Sequence, residues 1–277
     1  MPAELTDVAP GVVRVSWDPA LQEQGLRVCA TEVRQVVESA FAAGATRVET
    51  HVDPEDDEAQ RVATFSGLLR EGVARGVADA DEAVDRPATD RVVYARLVGD
   101  VPLEDPDGFR TLLNSFLPRK RAISQLLVRD PDDRVLLCQL TYKSDLDLPG
   151  GVVEVGESPQ LAVAREVREE LALDLEPGRL LLTDWLPPWG GWDDALCLVF
   201  DGGVHDPYVL DAVVRQEREI RSVAFHTIEE VRERCADFTA RRVEAALAAL
   251  HAAPPAARPG PAAYTESGRD AAEDPPA

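Results

Sequence analysis

The clearest feature of the sequence is a continuous pattern of hydrophobic and polar positions between residue 119 and about residue 250. Short apolar or alternating runs bounded by turn residues indicate strands, whereas apolar residues spaced three and four apart indicate helices. The predicted strands are 122–128, 134–140, 179–186, 195–201 and 220–225, and the predicted helices are 158–171, one opened by the capping-box spacing Thr227-x-x-Glu230, and 238–250. Because strands and helices alternate irregularly, this region is expected to be mixed α/β with a mixed sheet.

Residues 1–98 carry a separate and smaller pattern. Hydrophobic positions between Cys29 and Phe41 fall on one helical stripe that Gly44 closes. Short strands are predicted at 47–52 and 90–98. The order of strands and helices predicts a small α/β unit.

Two further segments lack this regularity. Residues 99–118 contain one short amphipathic turn and are predicted to be a linker. Residues 251–277 are rich in alanine and proline and show no periodicity, which is typical of a disordered tail. The predicted organisation is therefore a domain at 1–98, a linker at 99–118, a domain at 119–250 and a tail at 251–277.

The charge of the chain limits its partners. It has 51 acidic and 29 basic residues, which gives a formal net charge of −22. Sequence-independent affinity for nucleic acids, and for anionic membrane surfaces, comes from Lys and Arg, so neither partner is expected. A hydrophobic fraction of 45% is ordinary for globular proteins, so the acidity does not indicate general disorder.

The cysteines and the termini bear on the compartment. The cysteines are scattered and form neither a disulfide framework nor a zinc-binding spacing; they are Cys29, Cys138, Cys197 and Cys235. The sequence shows no secretory signal pattern and no apolar run as long as a membrane span. We expect a cytoplasmic protein with reduced thiols and no membrane partner.

Three glutamates crowd one side of the helix predicted at 158–171. Glu166, Glu169 and Glu170 are spaced three and four apart, so like charges repel, and the last two lie near the helix end where the dipole disfavours anions. A bound divalent cation would relieve both penalties. Oxygen ligands without His or Cys favour Mg²⁺ or Mn²⁺. From the glutamates alone, a solvated acidic helix face is the alternative.

The segment from 151 to 173 resembles the signature of the Nudix hydrolase family, G-x5-E-x7-R-E-U-x-E-E-x-G-U, in which U is aliphatic. The matching positions are Gly151, Glu157, Arg165, Glu166, Val167, Glu169, Glu170 and Leu173. The departure is Ala172, where the family has glycine. A left-handed helix end there would cost alanine about 1 kcal/mol without removing a ligand. The resemblance, over about 119–250, implies a Nudix-type α/β/α sandwich with a mixed sheet.

The resemblance also implies roles for individual residues. The family's R-E-U-x-E-E glutamates hold metal, which assigns Mg²⁺ or Mn²⁺ binding to Glu166, Glu169 and Glu170 and, through its carbonyl, to Gly150. Catalytic roles are implied for Glu166, as the group that activates water, and for Glu169.

Other positions of the signature are implied to be structural. Gly151, Glu157 and Arg165 belong here, the last two as a pair that fixes the loop against the helix. An additional acid from a later loop often acts as ligand or base in the family. Glu219 is the first candidate and Glu217 the second, with ordinary surface glutamates as the alternative.

The implied reaction is metal-assisted hydrolysis of a nucleoside diphosphate derivative such as a nucleotide sugar, an ADP-ribose-like compound or a nucleoside triphosphate. Trp189 and Trp192 could stack a nucleobase, and Lys143 could meet phosphate, or be solvated. For Trp185, the alternative to stacking a nucleobase is packing in the protein core.

The N-terminal part resembles a truncated GNAT acetyltransferase. The family's phosphate-binding loop precedes a helix and is present only as Gln22-x-x-Gly25-x-Arg27, where Arg27 replaces a small residue. We predict an inactive remnant that serves in docking or dimerisation. Two alternatives to hydrolysis stay open: a Nudix-fold sensor that binds its ligand without cleaving it, and an acetyltransferase in the N-terminal half.

Overall fold

A computed structural model describes residues 3–77, 89–252 and 262–270. The chain divides into two compact units, Met1–Pro118 and Arg119–Ala277. Among the described residues, none of the helices has both the length and the apolarity needed to cross a bilayer.

The first unit combines one sheet with helices. It contains strands β1 (Glu4–Ala9), β2 (Val12–Ser16), β3 (Arg47–Val52), β4 (Leu69–Val77) and β5 (Thr89–Leu97) and helices α1 (Pro19–Gln22), α2 (Leu26–Ala42), α3 (Asp57–Phe65) and α4 (Pro106–Phe116). The strands pair in the order β1-β2-β3-β5-β4, with β2 and β3 parallel and the other pairs antiparallel. Cys29, Val33 and Val37 of α2 are buried against Val48 and Val52 of β3, which is the stripe that the periodicity predicts.

The segment expected to be a linker differs most from its prediction. Instead of one short turn it forms α4, whose first turn is capped where Asp107 donates its backbone N–H to Asp105 at 2.8 Å. Gly108 lets the helix approach the backbone, since a Cβ there would lie 2.1 Å from the Pro102 carbonyl oxygen. The Arg70 N–H donates to Ser115 Oγ at 3.3 Å, so α4 is attached to β4 and belongs to the first unit.

The second unit has helices on both faces of a mixed sheet. Its strands are β6 (Arg121–Arg129), β7 (Val135–Leu140), β8 (Leu146–Asp147), β9 (Gly150–Val152), β10 (Leu180–Leu186), β11 (Ala195–Val204), β12 (Ile220–His226), β13 (Ala263–Glu266) and β14 (Arg269–Asp270), and its helices are α5 (Pro159–Leu171), α6 (Ile228–Arg234) and α7 (Asp237–His251). The main order is β12-β7-β6-β11-β10-β13-β14, with β8 beside β7 and β9 beside β6. The β6–β11 and β10–β13 pairs are parallel, whereas β10–β11 and β12–β7 are antiparallel.

Alternation along β6 produces the two layers. Leu126 and Val128 pack in the same cluster as Val163 of α5, whereas Leu127 packs with Val243 of α7. The mixed α/β fold with a mixed sheet is therefore confirmed. The capping box that opens α6 at Thr227 is also present, with both of its hydrogen bonds formed.

Part of the predicted tail is ordered. Residues 262–270 form a hairpin, hereafter the C-terminal hairpin, in which β13 adds to the edge of β10 and turns at Ser267 and Gly268 into β14. Both turn residues have positive φ, 52° and 74°, which is the backbone of a tight two-residue hairpin turn. The rest of the predicted tail, 253–261 and 271–277, lies outside the described residues.

The end of α5 offers a first testable prediction. Ala172 is left-handed, with φ 57° and ψ 26°, as the missing glycine of the signature predicts. Ala172→Gly is therefore expected to raise the free energy of unfolding by about 1 kcal/mol in urea titrations. Ala164→Gly, inside the same helix, should lower it by a similar amount. A destabilised Ala172→Gly variant would contradict this account of the helix end.

Candidate active site

Two consecutive glycines bring β9 into contact with α5. Gly150 has φ +134°, and a Cβ there would lie 2.2 Å from the Ser124 carbonyl oxygen on β6. A Cβ on Gly151 would lie 2.6 Å from the carboxyl carbon of Glu166. A larger residue at either place would push the strand away from β6 or from the Glu166 carboxylate.

Glu170 is a buried acid in this contact. It is 5% exposed, and the Gly150 N–H approaches its carboxylate at 3.4 Å, a long hydrogen bond. Burial raises the pKa of Glu170 to about 8; the Gly150 N–H opposes the shift, and the charges of Glu166, Glu219 and Asp147 add to it. The ionised form of Glu170 is therefore unfavourable in this position, and a bound cation would stabilise it.

Glu166 shares that environment in a milder form. Burial raises the pKa of Glu166, whereas its hydrogen bond from Arg165 at 2.9 Å lowers it, and the charges of Glu169 and Glu219 raise it. Glu166 and Glu170 are therefore neighbouring acids for which negative charge is unfavourable in the absence of a cation.

Arg165 joins the loop to the helix. Its guanidinium donates to Glu157 at 2.9 and 3.0 Å, to Glu166 at 2.9 Å and to Glu169 at 3.1 Å. The hydrogen bond from Arg165 lowers the pKa of Glu157. This contact is the Arg165–Glu157 pair that the signature implies. Ser158, by contrast, begins the helix without a side-chain capping bond.

The three glutamates are not equivalent in the structure, although their spacing placed them together. The Glu169 side chain is 54% exposed and faces Arg165, while Glu166 and Glu170 face β9. No group of three or more His, Cys, Asp or Glu side chains in the described part of the chain is arranged as a ready metal site. The residues nevertheless fit a hard cation that keeps several waters, since Glu170 presents carboxylate oxygens next to Gly150 and Glu166 presents them next to Gly151.

The other candidates occupy distinct positions. Glu219 is exposed, and its charge raises the pKa of both Glu166 and Glu170, which favours it over Glu217 as the additional acid. Lys143 is not free to meet phosphate as it stands, because its Nζ lies 2.6 Å from the Asp147 carboxylate.

Trp189 and Trp192 lie on a turn between β10 and β11, whereas Trp185 lies within β10. Trp189 and Trp192 exchange backbone hydrogen bonds at 3.1 and 2.8 Å and are 65% and 62% exposed. The Trp189 ring meets Phe238 of α7 edge to face, with centroids 5.5 Å apart, and the Arg121 guanidinium lies 4.9 Å from the centre of the Trp192 ring. Trp185 is half-buried, and its indole N–H donates to Asp194 at 3.3 Å.

Sequence reasoning missed a buried polar network beside this site. Asp184, Arg242 and Gln125 are 0%, 2% and 4% exposed, and Gln125 donates to Asp147 at 2.8 Å. Asp184 follows the buried residue Leu182 by two positions in β10, so alternation alone marks an acid on an inward face. No comparable signal marks its partners.

Comparisons with known proteins match the second unit of the chain. Residues 118–247 match the family model described as NUDIX domain. A "MutT-like protein" from Streptomyces ambofaciens is 33% identical over 130 residues, which cover 46% of this chain and 75% of that protein.

Two solved structures are similar to part of this chain. The MutT protein from Methanosarcina mazei Go1 is 23% identical with a TM-score of 0.39, and the match covers 47% of this chain and 96% of that one. A UDP-X diphosphatase is 18% identical with a TM-score of 0.42, and the match covers 58% of this chain and 75% of that one.

Proposed function

Since this chain belongs to the Nudix family of hydrolases, which act on pyrophosphate bonds, we propose that it cleaves the diphosphate linkage of a nucleoside diphosphate derivative with Mg²⁺ or Mn²⁺. The substrate class comprises nucleotide sugars, ADP-ribose-like compounds and nucleoside triphosphates. The observation that carries the proposal is the pair of acids formed by Glu170, buried beside Gly150, and Glu166, half-buried against Gly151, where negative charge is costly without a cation.

Each residue of the site has a definite role in this proposal. Glu166, Glu170 and the Gly150 carbonyl would hold the cation, with Glu169 joining them once it leaves Arg165. The bound cation would neutralise the diphosphate and lower the pKa of a water molecule. Glu166 or Glu219 would accept the proton of that water as it attacks phosphorus in line, and the pyrophosphate oxygen would leave with the departing half.

The outer parts of the site would hold the substrate. Arg165 would keep the loop that carries Glu157 against α5, as its two hydrogen bonds to Glu157 indicate. Trp189 and Trp192 would stack the nucleobase, and Lys143 would turn from Asp147 towards phosphate. The four cysteines are unpaired and buried, which supports a cytoplasmic setting. The first unit would serve in docking or dimerisation.

The direct test is a panel of nucleotide sugars, dinucleotides and nucleoside triphosphates, each incubated with the full chain and Mg²⁺ or Mn²⁺ and analysed by product chromatography. We expect metal-dependent cleavage between the two phosphorus atoms of at least one compound. Metal-dependent binding of a compound without turnover would favour the sensor alternative. Hydrolysis that is equal with and without metal would contradict the proposal.

A narrower prediction concerns the nucleobase. Trp189→Ala is expected to raise KM for the preferred nucleotide about tenfold with little change in kcat, because stacking on one aromatic ring is worth about 1–3 kcal/mol per base. Steady-state kinetics measure this, and Tyr208→Ala, at an exposed aromatic residue in the short 3-10 helix after β11, is the control. An unchanged KM would remove Trp189 from the binding site.

A further inference from the structure

The C-terminal hairpin provides most of the hydrogen bonds to a buried acid. Asp184 Oδ1 accepts from Thr265 Oγ1 at 2.7 Å and from the Gly268 N–H at 2.8 Å. Thr265 is 2% exposed and Asp184 is fully buried. The hairpin is also attached through the backbone, since Ser267 N–H donates to the Trp185 carbonyl at 2.9 Å. One oxygen of the Asp184 carboxylate is therefore held by the hairpin.

The other oxygen of Asp184 is connected by hydrogen bonds to Asp147, one of the acids near Glu170. Arg242 Nε donates to Asp184 Oδ2 at 2.9 Å, and Arg242 Nη1 donates to Gln125 Oε1 at 3.2 Å. Gln125 Nε2 donates to Asp147 at 2.8 Å, and Gln125 pairs with Gly150 between β6 and β9. The negative charge of Asp147 helps to raise the pKa of Glu170. A chain of side-chain hydrogen bonds thus runs from the hairpin to the residues that surround the cation site.

Arg242 has a second arrangement available. Its Nη2 is buried and makes no hydrogen bond among the described residues. Nε and Nη2 form the edge of a guanidinium that pairs with both oxygens of a carboxylate. Asp184 uses only one oxygen on that edge, because Thr265 and Gly268 hold the other. If the hairpin were released, Oδ1 would turn to Nη2, and the guanidinium would rotate away from Gln125.

We propose that the C-terminal hairpin is a positioning element for hydrolysis: by holding Asp184 it keeps Arg242 on Gln125, and so keeps Asp147 and Gly150 in place beside Glu170. Thr265, Asp184 and Arg242 are positioning residues, because they act through Gln125 and touch no reacting atom. This inference rests on the proposed function. A hairpin that only covered the edge of β10 would not require its hydroxyl at Thr265.

The test uses Thr265→Val in the full chain, which keeps the shape and removes one donor to Asp184. We expect kcat to fall about tenfold and the Mg²⁺ concentration for half-maximal activity to rise, with the nucleotide KM unchanged. Thr265→Ser should restore wild-type values. Tyr264→Phe is the matched control, since Tyr264 is half-exposed on the same strand and its hydroxyl donates to Glu266 at 3.3 Å rather than to Asp184.

A second variant and a second measurement distinguish failure of this inference from failure of the proposed function. Gly268→Ala should release the hairpin by another route, because a Cβ there would lie 2.5 Å from Arg241 Cβ at φ +74°. Both variants should shift the NMR resonances of the Gln125 side-chain amide, whereas Tyr264→Phe should not. If the kinetics and these resonances stay at wild-type values, the hairpin is only an edge cover and the inference is wrong. If the wild type hydrolyses no compound, the proposed function fails, and the amide resonances still decide whether the network responds to the hairpin.

Discussion

Replacing Glu170 by glutamine is expected to lower kcat/KM on the order of a thousandfold, because under the proposed function it would remove one charged ligand from the cation that activates water. The protein should remain folded, since glutamine has nearly the same shape as the buried glutamate. Steady-state kinetics under saturating Mg²⁺ measure the loss. Mg²⁺ should raise the melting temperature of the wild type and have little effect on the variant.

The same substitution should stabilise the metal-free protein at alkaline pH. The pKa of Glu170 is about 8 in the fold, above its ordinary value of 4.5. The folded state therefore binds the extra proton, and the free energy of unfolding falls as the pH rises from about 4.5 to about 8. Glutamine carries no charge at any pH. We expect Glu170→Gln to gain about 4–5 kcal/mol over the wild type at pH 9 without metal, and nothing at pH 4.

Glu233→Gln, at an exposed glutamate of α6, is the control for both effects. It should match the wild type in turnover and in its response to Mg²⁺. A Glu170→Gln variant that retains wild-type turnover would exclude Glu170 from the metal centre. A variant that unfolds would instead show that the carboxylate is required for the fold.

Asp184→Asn should cause the largest loss of stability, about 3–5 kcal/mol for the second unit. It leaves the Arg242 guanidinium buried without a countercharge, and the new amide NH2 must face a donor on one side, either Arg242 Nε or the pair Thr265 and Gly268. Urea unfolding followed by hydrogen exchange on β10 would measure this, because exchange resolves the second unit from the first. In a unit of this size the melting temperature should fall by about 10 °C.

Two further variants distinguish loss of the buried Asp184–Arg242 pair from loss of a negative charge in general. Asp211→Asn, at an exposed acid, should stay within about 0.5 kcal/mol of the wild type. The double variant Asp184→Asn with Arg242→Met should lose less than the sum of the single losses, since it removes the unpaired cation. A loss below about 1 kcal/mol for Asp184→Asn would show that the buried pair is replaceable by solvent.

Much of the fold of the second unit could be predicted. The helix at 158–171 and the strand at 122–128 emerged within one or two residues of their limits, because both bury one regular stripe against the sheet. The helix α4 was missed because its hydrophobic face is short and its position depends on contacts with β4, which are distant in sequence. The hairpin at 262–270 was missed because its strand is an edge that exists only when β10 is beside it.

The site divides in the same way. The spacing of Glu166, Glu169 and Glu170 indicated a cation-binding helix, but not that Glu170 alone of the three is buried or that Glu169 faces Arg165. Helix spacing defines an angle around the axis, whereas burial depends on what packs there. Gly150 and Gly151 bring β9 close enough to cover Glu170, and this approach is a tertiary contact.

By itself, the sequence determined the chemistry: which acids share a helix, which glycines precede it, where that helix ends, and which family the chain belongs to. These properties are local, because they depend on residues within one or two turns of each other. Only the tertiary structure decided which acid is buried and that the C-terminal hairpin reaches Asp184. The physical reason is that burial and long-range hydrogen bonds depend on residues up to 117 positions apart, as for Gln125 and Arg242.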